Sequence, residues 1–491
     1  MQLIIQNLGP IKQGNIDLTK RFYVLVGYNN TGKTYVSQLL WSIFNEETIG
    51  NFSKHLAMPE LNLDDLEKNL AARESCFDIT PEIIDKILGE FALFLKQSVI
   101  PKIFNVDSHH FILNDFSVQF DCDINIIRRS GLRSSFFLGG NVFSISKSIN
   151  SFTIKLLSEN VPKELLDSVS DNLQQPFSTT FYEFLLSLLF NNTDQKPVYL
   201  PANRSFYPMF YSDIFRLQRE KEREKSKEMK KDLSNLFKEL LDKRENGQEI
   251  ALESSLLLNN SSSDYTEPMN VLFDKLYRLN GNNAQNHYEH LVSDMTKILG
   301  GDIVMSKKEG IAPIKFGFKP VKHDEQLPMF LSSSAVNQLN TLYLYFKYWA
   351  HKENNFLMID EPEENLHPKN QMALLNVLLG FAQVNNNKVL ITTHSPLLAD
   401  AVNNYLYLFW LKSQEVDVNQ MVAEDYLEIN PDINLTTDDI AIYFFDGARI
   451  RAYQRGDYGV LFSDFNAELR KINKISLVLT DKMSQLLNDF S

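Results

Sequence analysis

Cysteine is scarce in this chain: of 491 residues only Cys76 and Cys122 carry a thiol, too few for a disulfide framework. With no secretory leader pattern at the N-terminus, that scarcity points to a reducing compartment, and the cytoplasm is the expected location. Long apolar runs are lacking too. None reaches the roughly 18 to 20 residues of a membrane helix; residues 184–190 (Phe-Leu-Leu-Ser-Leu-Leu-Phe) are flanked by polar residues and read as a core helix, so no membrane partner is expected. Positive charge is in deficit, with a formal net charge of −13 and a pI near 5.3, which leaves any contact with nucleic acid to a local patch. No internal repeat of about 20 to 50 residues is visible, which removes solenoids and propellers. What remains is 44% hydrophobic and 23% charged, an ordinary globular composition that excludes disorder as the dominant state and suffices for two or three domains.

The first 25 residues alternate apolar and polar positions in two bursts and then become continuously apolar at Phe22-Tyr23-Val24-Leu25-Val26, the pattern of a strand buried on both faces of a parallel sheet. After a glycine-containing loop, Val36, Leu39, Leu40, Ile43 and Phe44 recur at helical spacing. Residues 50–195 read as an inserted α+β region, with a helix over 81–94 and strand-like alternation at 110–113 and 116–120. From Arg216 to Arg244 charges dominate around one apolar stripe (Met229, Leu233, Leu236, Phe237, Leu240, Leu241), which predicts a long amphipathic helix. A polar turn at 259–264 and a helix over 269–279 would complete a helical hairpin. The basic residues Arg216, Arg219, Lys221, Arg223, Lys225, Lys227, Lys230 and Lys231 would let this local helix follow a DNA backbone; a solvated helix with Glu–Lys pairs explains the same residues.

Between the buried strand and the amphipathic helix, Gly27-Tyr28-Asn29-Asn30-Thr31-Gly32-Lys33-Thr34 matches G-x-x-x-x-G-K-[ST], in the strand–loop–helix setting that a phosphate loop requires. Backbone amides over 27–35 (Gly27, Asn29, Asn30, Thr31, Gly32, Lys33, Thr34, Tyr35) would face a polyphosphate, Lys33 would reach its β and γ phosphates, and the Thr34 hydroxyl would ligate Mg²⁺. Downstream, the apolar run 356–359 ends in Asp360-Glu361 and Pro362. Adjacent acids are elsewhere a solvated turn; at the end of a buried strand Asp360 is placed to hold Mg²⁺ and Glu361 to activate a water. One helix later a second buried run, 388–393, ends at His394, whose imidazole could contact a γ-phosphate or the water. Ser332, Ser333 and Ser334 open a further helix, either as a plain cap or as hydroxyls presented to an anion.

Taken in order, Asn7-Leu8-Gly9-Pro10-Ile11, the phosphate loop, Leu331-Ser332-Ser333-Ser334, Asp360-Glu361-Pro362-Glu363-Glu364-Asn365-Leu366-His367-Pro368 and Thr393-His394-Ser395 resemble the ABC-type ATPase heads of the AAA/OLD/SMC-like group. That group includes the ATPase halves of overcoming-lysogenisation-defect nucleases and ATPases of phage-defence systems. The resemblance implies an α/β fold, a P-loop NTPase of the ABC-ATPase head type with a mixed β-sheet, carrying the inserted region and the helical hairpin arm. It implies ATP and Mg²⁺ held between two heads of a homodimer or higher homo-oligomer, with Ser332–Ser334 as the signature acting in trans and Asn365, Leu366 and His367 as the D-loop. Segment 199–205 is similar to one common in this group, so Arg204 lies near the nucleotide or the dimer seam, or is an ordinary surface arginine. The signature departs from the transporter form, with Ser333 and Ser334 where that form has glycines, and no glutamine-loop residue stands out.

Members of the group that carry their own nuclease continue into a toprim domain with metal-binding acids on strand ends. After His394 this chain has about 100 residues, in which 440–453 reads as a hairpin with an Asp446-Gly447 turn followed by a helix. Asp121-Cys122-Asp123 lacks the setting of a nuclease site, and the histidines 109–110 and 287–290 lack partners at zinc-ligand spacing. The expected organisation is an ATPase head over 1–49, an insertion over 50–195, a return to the head over 196–215, the hairpin over 216–299 and the C-terminal part of the head over 300–491. The expected function is an ATP-hydrolysing conformational switch of bacterial anti-phage defence that controls a separate effector such as a nuclease. The alternatives are a DNA-binding recombination or repair clamp, and a scaffold with structural nucleotide. A transporter subunit fits least.

Overall fold

The computed structural model describes residues 1–56, 74–107, 109–138, 141–160, 177–190, 195–207, 220, 265–279, 284–306, 314–420, 429–453, 455–456, 459–460, 462 and 470–480. In chain order its main elements are β1 (Gln2–Leu8), β2 (Ile11–Asp17), β3 (Phe22–Gly27), α1 (Lys33–Phe44), α2 (Glu46–His55), β4 (Glu74–Asp78), α3 (Pro81–Phe94), β5 (Ser117–Asp121), β6 (Leu132–Leu138), β7 (Asn141–Lys147), β8 (Thr153–Asn160), α4 (Phe177–Leu189) and β9 (Lys196–Leu200). They continue as α5 (Glu267–Tyr277), α6 (Glu289–Leu299), β10 (Gly301–Ser306), β11 (Lys315–Pro320), β12 (Leu327–Pro328), α7 (Ser334–Leu344), β13 (Asn355–Asp360), α8 (Pro368–Ala382), β14 (Lys388–Thr393), α9 (Pro396–Ser413), β15 (Ile440–Phe445), β16 (Arg449–Ala452), β17 (Arg455–Gly456) and β18 (Gly459–Val460).

The chain divides into two compact units, one formed by Met1–Ala202 with His351–Ser491, the other by Asn203–Ala350. The expected 300–491 segment is therefore split, and Ser332–Ser334 belong to the second unit.

A mixed nine-stranded sheet in the order β5-β1-β2-β16-β15-β3-β14-β13-β9 runs through the first unit. Its centre is parallel, with β3 between β14 and β15, and β13 between β14 and β9. Every residue of β3, β13 and β14 is buried, which is why these strands read as unbroken apolar runs rather than alternating ones. Parallel pairing carries the three C-terminal ends to one edge, where the loops bearing Lys33, Asp360 and His394 emerge.

Several expectations for residues 50–195 are met: a helix spans Pro81–Phe94, opened by Thr80 accepting from the Ile83 amide and by Pro81 in the first turn, and the apolar run at 184–190 is buried. Others need correction. Residues 111–113 form a 3₁₀ turn capped by His110, with Phe111 77% exposed, because the alternation there has no partner strand. Strand β5 pairs with β1 and so extends the main sheet, whereas β4, β8, β7 and β6 make a separate antiparallel sheet. Local alternation shows a half-buried strand but not whose edge it joins.

In the second unit β10, β11 and β12 form an antiparallel sheet, and α7 packs on α6. The helix expected at 269–279 is α5. The charged helix from Arg216, its basic residues and the turn at 259–264 lie outside the described residues, so the hairpin arm does too. The 440–453 hairpin forms about Asp446-Gly447, with Asp446 Oδ1 accepting from the Ala448 and Arg449 amides at 2.9 and 2.7 Å. The chain then enters the short β17–β18 pair, and the helix expected after the hairpin follows over 470–480.

Candidate functional site

The loop from β3 to α1 is built for close approach. A Cβ on Gly27 would lie 2.4 Å from the Phe445 carbonyl oxygen, and one on Gly32, at φ +93°, 2.7 Å from Ile11 Cδ1, so only glycine fits either place. Asn30 takes a left-handed φ of 59° between them. Thr31 donates to the Tyr28 carbonyl at 2.8 Å and braces the loop, leaving Asn29, Asn30 and Thr34 exposed. Tyr35 packs edge-on against Phe104 and against Gly9 of the β1–β2 turn. Gly32 caps α1 without a side chain, so no cap competes for the helix's first amides.

Lys33 is buried at the first position of α1, its Nζ donating to the carbonyls of Gly27 and Tyr28 at 3.1 and 2.8 Å. Burial pushes its pKa down to about 8, against the pull of Glu361, Asp360 and Glu363. A lysine held by two weak carbonyl acceptors among three acids is poised for an anion.

Asp360 closes β13 with its carboxylate buried. Oδ2 accepts from the Thr34 hydroxyl at 2.7 Å and the Tyr199 hydroxyl at 2.8 Å, and Oδ1 from Thr392 at 3.1 Å and Ser37 at 3.4 Å. Burial raises its pKa while these donors oppose the rise. Glu361 comes next in a left-handed conformation, φ 47°, pinned by its amide donating to the Thr392 carbonyl at 3.0 Å. That conformation costs a non-glycine residue about 1–2 kcal/mol and turns the side chain out of the strand. Oε1 of Glu361 lies 3.1 Å from His394 Nε2, and His394 Nδ1 lies 3.5 Å from Lys33 Nζ.

A family model for the AAA ATPase domain matches residues 1–399. The chain belongs to that family. Its structure is similar to the SMC head domain from Thermotoga maritima, at 10% identity over 92% of this chain and 98% of that one with a TM-score of 0.29. It is also similar to the Smc head domain with an extended coiled coil bound to the C-terminal domain of ScpA from Pyrococcus furiosus, at 12% identity over 97% and 98% of the two chains with a TM-score of 0.33. Among curated proteins none matches the chain.

In this AAA ATPase, Thr34 and Asp360 supply one hydroxyl and one carboxylate oxygen, hard donors suited to Mg²⁺. Among the described residues no cluster of three or more His, Cys, Asp or Glu could hold a metal ion.

The segment after Glu361 is also fixed. Asn365 is left-handed at φ 62°, Leu366 is buried, and His367 caps α8 by accepting from the Lys369 amide at 3.3 Å. Gln371 links this segment to the histidine loop, donating to the Leu366 carbonyl at 3.1 Å and accepting from the Ser395 hydroxyl at 3.3 Å.

In the second unit Ser333 caps α7 by accepting from the Val336 amide at 3.3 Å, Ser332 donates to the Met329 carbonyl at 2.6 Å, and Ser334 is exposed at the helix start. Arg204 is not a surface residue: it is fully buried, with Nε donating to the Gln338 carbonyl of α7 at 3.0 Å. Its polar neighbours in sequence gave no sign of that.

Sequence reasoning missed Tyr199, Ser37 and Thr392, which hold Asp360, and Glu363, which holds the histidine loop through Thr393. The strand register offered one signal, since Tyr199 stands opposite Met358, two residues before Asp360.

Proposed function

We propose that this AAA ATPase hydrolyses ATP to ADP and phosphate with Mg²⁺ and uses the cycle as a conformational switch. The observation that carries the reading is the line Lys33–His394–Glu361 beside the Thr34–Asp360 pair, three chemistries gathered at one sheet edge from segments about 330 residues apart. Thr34 and Asp360 would hold Mg²⁺, which when bound draws charge off the phosphates. Lys33 would exchange its two carbonyls for phosphate oxygens. Glu361 would take the proton of the attacking water, with His394 orienting that carboxylate through Nε2. Ser332–Ser334 and the Asn365–Leu366–His367 segment would act across a head–head interface in a homodimer or higher homo-oligomer.

The motif resemblance to the OLD-like group supports a cytoplasmic place in bacterial anti-phage defence, controlling a separate effector such as a nuclease. No helix among the described residues is long and apolar enough to cross a membrane. The DNA clamp reading rests on the basic sequence from Arg216 to Lys231.

Steady-state ATP turnover with and without double-stranded DNA, recorded with mass in solution for the wild type, Lys33→Ala and Glu361→Gln, separates the readings. The switch reading expects DNA-independent turnover in an oligomer, loss of nucleotide binding in Lys33→Ala, and a slow, ATP-bound assembly in Glu361→Gln. Strong DNA stimulation that disappears when the 216–231 cations are neutralised turns the conclusion to the clamp. Tight ATP binding with negligible turnover turns it to the scaffold.

A further inference from the structure

Three residues beyond Asp360, a second glutamate points inward. Glu363 is 8% exposed, and its Oε1 accepts twice from the end of β14: from the Thr393 hydroxyl at 2.5 Å and from the His394 amide at 3.3 Å. Thr393 Oγ1 in turn accepts from the Ser395 amide at 2.9 Å. One carboxyl group therefore fixes the backbone on both sides of His394. Its other oxygen, Oε2, is buried with no hydrogen-bond partner among the described residues.

The idle oxygen decides the charge state. An ionised carboxylate would leave charge on a buried oxygen with no hydrogen-bond partner, the costlier state. A protonated one leaves only a buried hydroxyl unbonded, while Oε1 as the carbonyl keeps both of its bonds. Burial, assisted by Glu361, raises the pKa of Glu363 against the donors that favour its ionised form, the Thr393 hydroxyl and the amides of Glu363 and His394, and against Lys33.

We propose that Glu363 is a positioning residue of the hydrolytic site, a neutral carboxylic acid whose carbonyl oxygen clamps the Thr393–His394 backbone and so keeps the imidazole between Glu361 and Lys33. This rests on the reading of Glu361 and His394 given above. Glu363 touches neither phosphate nor water in this role. Glu361, with its side chain about a third exposed, keeps the base role. Two glutamates two residues apart thus divide the work by burial: the half-buried one faces the water, and the buried one holds.

The clamp needs a carbonyl and no negative charge, so glutamine should do what alanine cannot. Glu363→Ala is expected to lower kcat by about 10- to 100-fold with KM for ATP changed less than about threefold, since the loss is of alignment. Glu363→Gln is expected to restore most of that kcat, in contrast to Glu361→Gln, which stays slow. In the nucleotide-free protein the His394 ring resonance, assigned with His394→Gln, should move in Glu363→Ala and stay in place in Glu363→Gln, with circular dichroism confirming that both variants fold. If Glu363→Gln is as slow as Glu363→Ala, a charged carboxylate is needed and the proposal fails. It fails equally if Glu363→Ala moves neither kcat nor the resonance. A wild type that turns over no ATP defeats the hydrolytic reading itself, and the resonance then still decides whether Glu363 places His394.

Discussion

Nε2 of His394 lies 3.1 Å from Oε1 of Glu361, while Nδ1 of the same ring lies 3.5 Å from the Lys33 ammonium. A neutral imidazole with its proton on Nε2 serves both neighbours, donating to the carboxylate and accepting from the lysine. The ring therefore couples the group that would hold phosphate to the group that would activate water. His394→Ala should lower ATP turnover about 10- to 100-fold while nucleotide affinity changes little, because Lys33 and the loop amides remain. His394→Gln, which keeps a donor toward Glu361, should fall between. Unchanged kinetics in His394→Ala would return the residue to a structural role.

Lys33 makes nucleotide affinity depend on pH in one direction. Its pKa in the free protein is pushed down to about 8, chiefly by burial, and phosphate oxygens would raise it again. Below pH 8 the amine is already charged, and ATP affinity should be flat with respect to this group. As pH rises through 8 the free protein loses that proton and ATP must bring it back, so affinity should fall by up to about tenfold per pH unit. Titration calorimetry at pH 9 in buffers of different ionisation enthalpy should show uptake approaching one proton per ATP, falling to about half at pH 8. Binding at pH 9 with no proton uptake would contradict the assignment of Lys33 to the phosphates.

The centre of the fold was legible because strands buried on both faces must be apolar throughout, and β3, β13 and β14 are unbroken runs that stop where chemistry begins. Residues whose roles depend on distant partners were not. The alternation at 110–113 looked like that at 116–120, yet only the second meets a strand, and that strand is β1, more than 100 residues away. Arg204 reads equally as a residue near the nucleotide or the dimer seam and as a surface arginine until α7 is folded over it. Glu363 and Glu364 extend a run of acids in sequence, and nothing local says that the first is buried against Thr393 and the second is not.

Glu361 should carry a backbone penalty that a smaller residue relieves. Its φ of 47° lies where a side chain costs about 1–2 kcal/mol, and its hydrogen bond with His394 is partly exposed and worth at most about 1 kcal/mol. Glu361→Gly should therefore abolish turnover without lowering the melting temperature. Glu361→Val, β-branched at the same φ, should melt earliest of the three. A valine variant as stable as wild type would mean that the loop relaxes out of the left-handed conformation when the carboxylate is gone.

Far from the nucleotide loop, Lys388 sets a second pH dependence, in stability. It opens β14 fully buried, with Nζ donating to the Leu18 carbonyl at 2.9 Å and lying 5.0 Å from the centre of the Phe44 ring. These partners do not replace water around an ammonium, and burial, opposed by Asp17 and assisted by Arg21, lowers its pKa from 10.5 to about 8. The unfolded chain holds the proton up to pH 10.5 and the folded chain only up to about 8, so between those values unfolding takes up a proton and stability from this group rises with pH. Below pH 8 both states are charged and the folded protein bears the full cost, on the order of 3 kcal/mol. Lys388→Met keeps the length and the contact with Phe44 but removes the charge, at the expense of one carbonyl left without its donor, about 1–3 kcal/mol. The variant should therefore gain on wild type most clearly at pH 7, and the difference in melting temperature should shift against it as pH approaches 10. A difference independent of pH between 7 and 10 would show that Lys388 is neutral, or solvated, throughout that range.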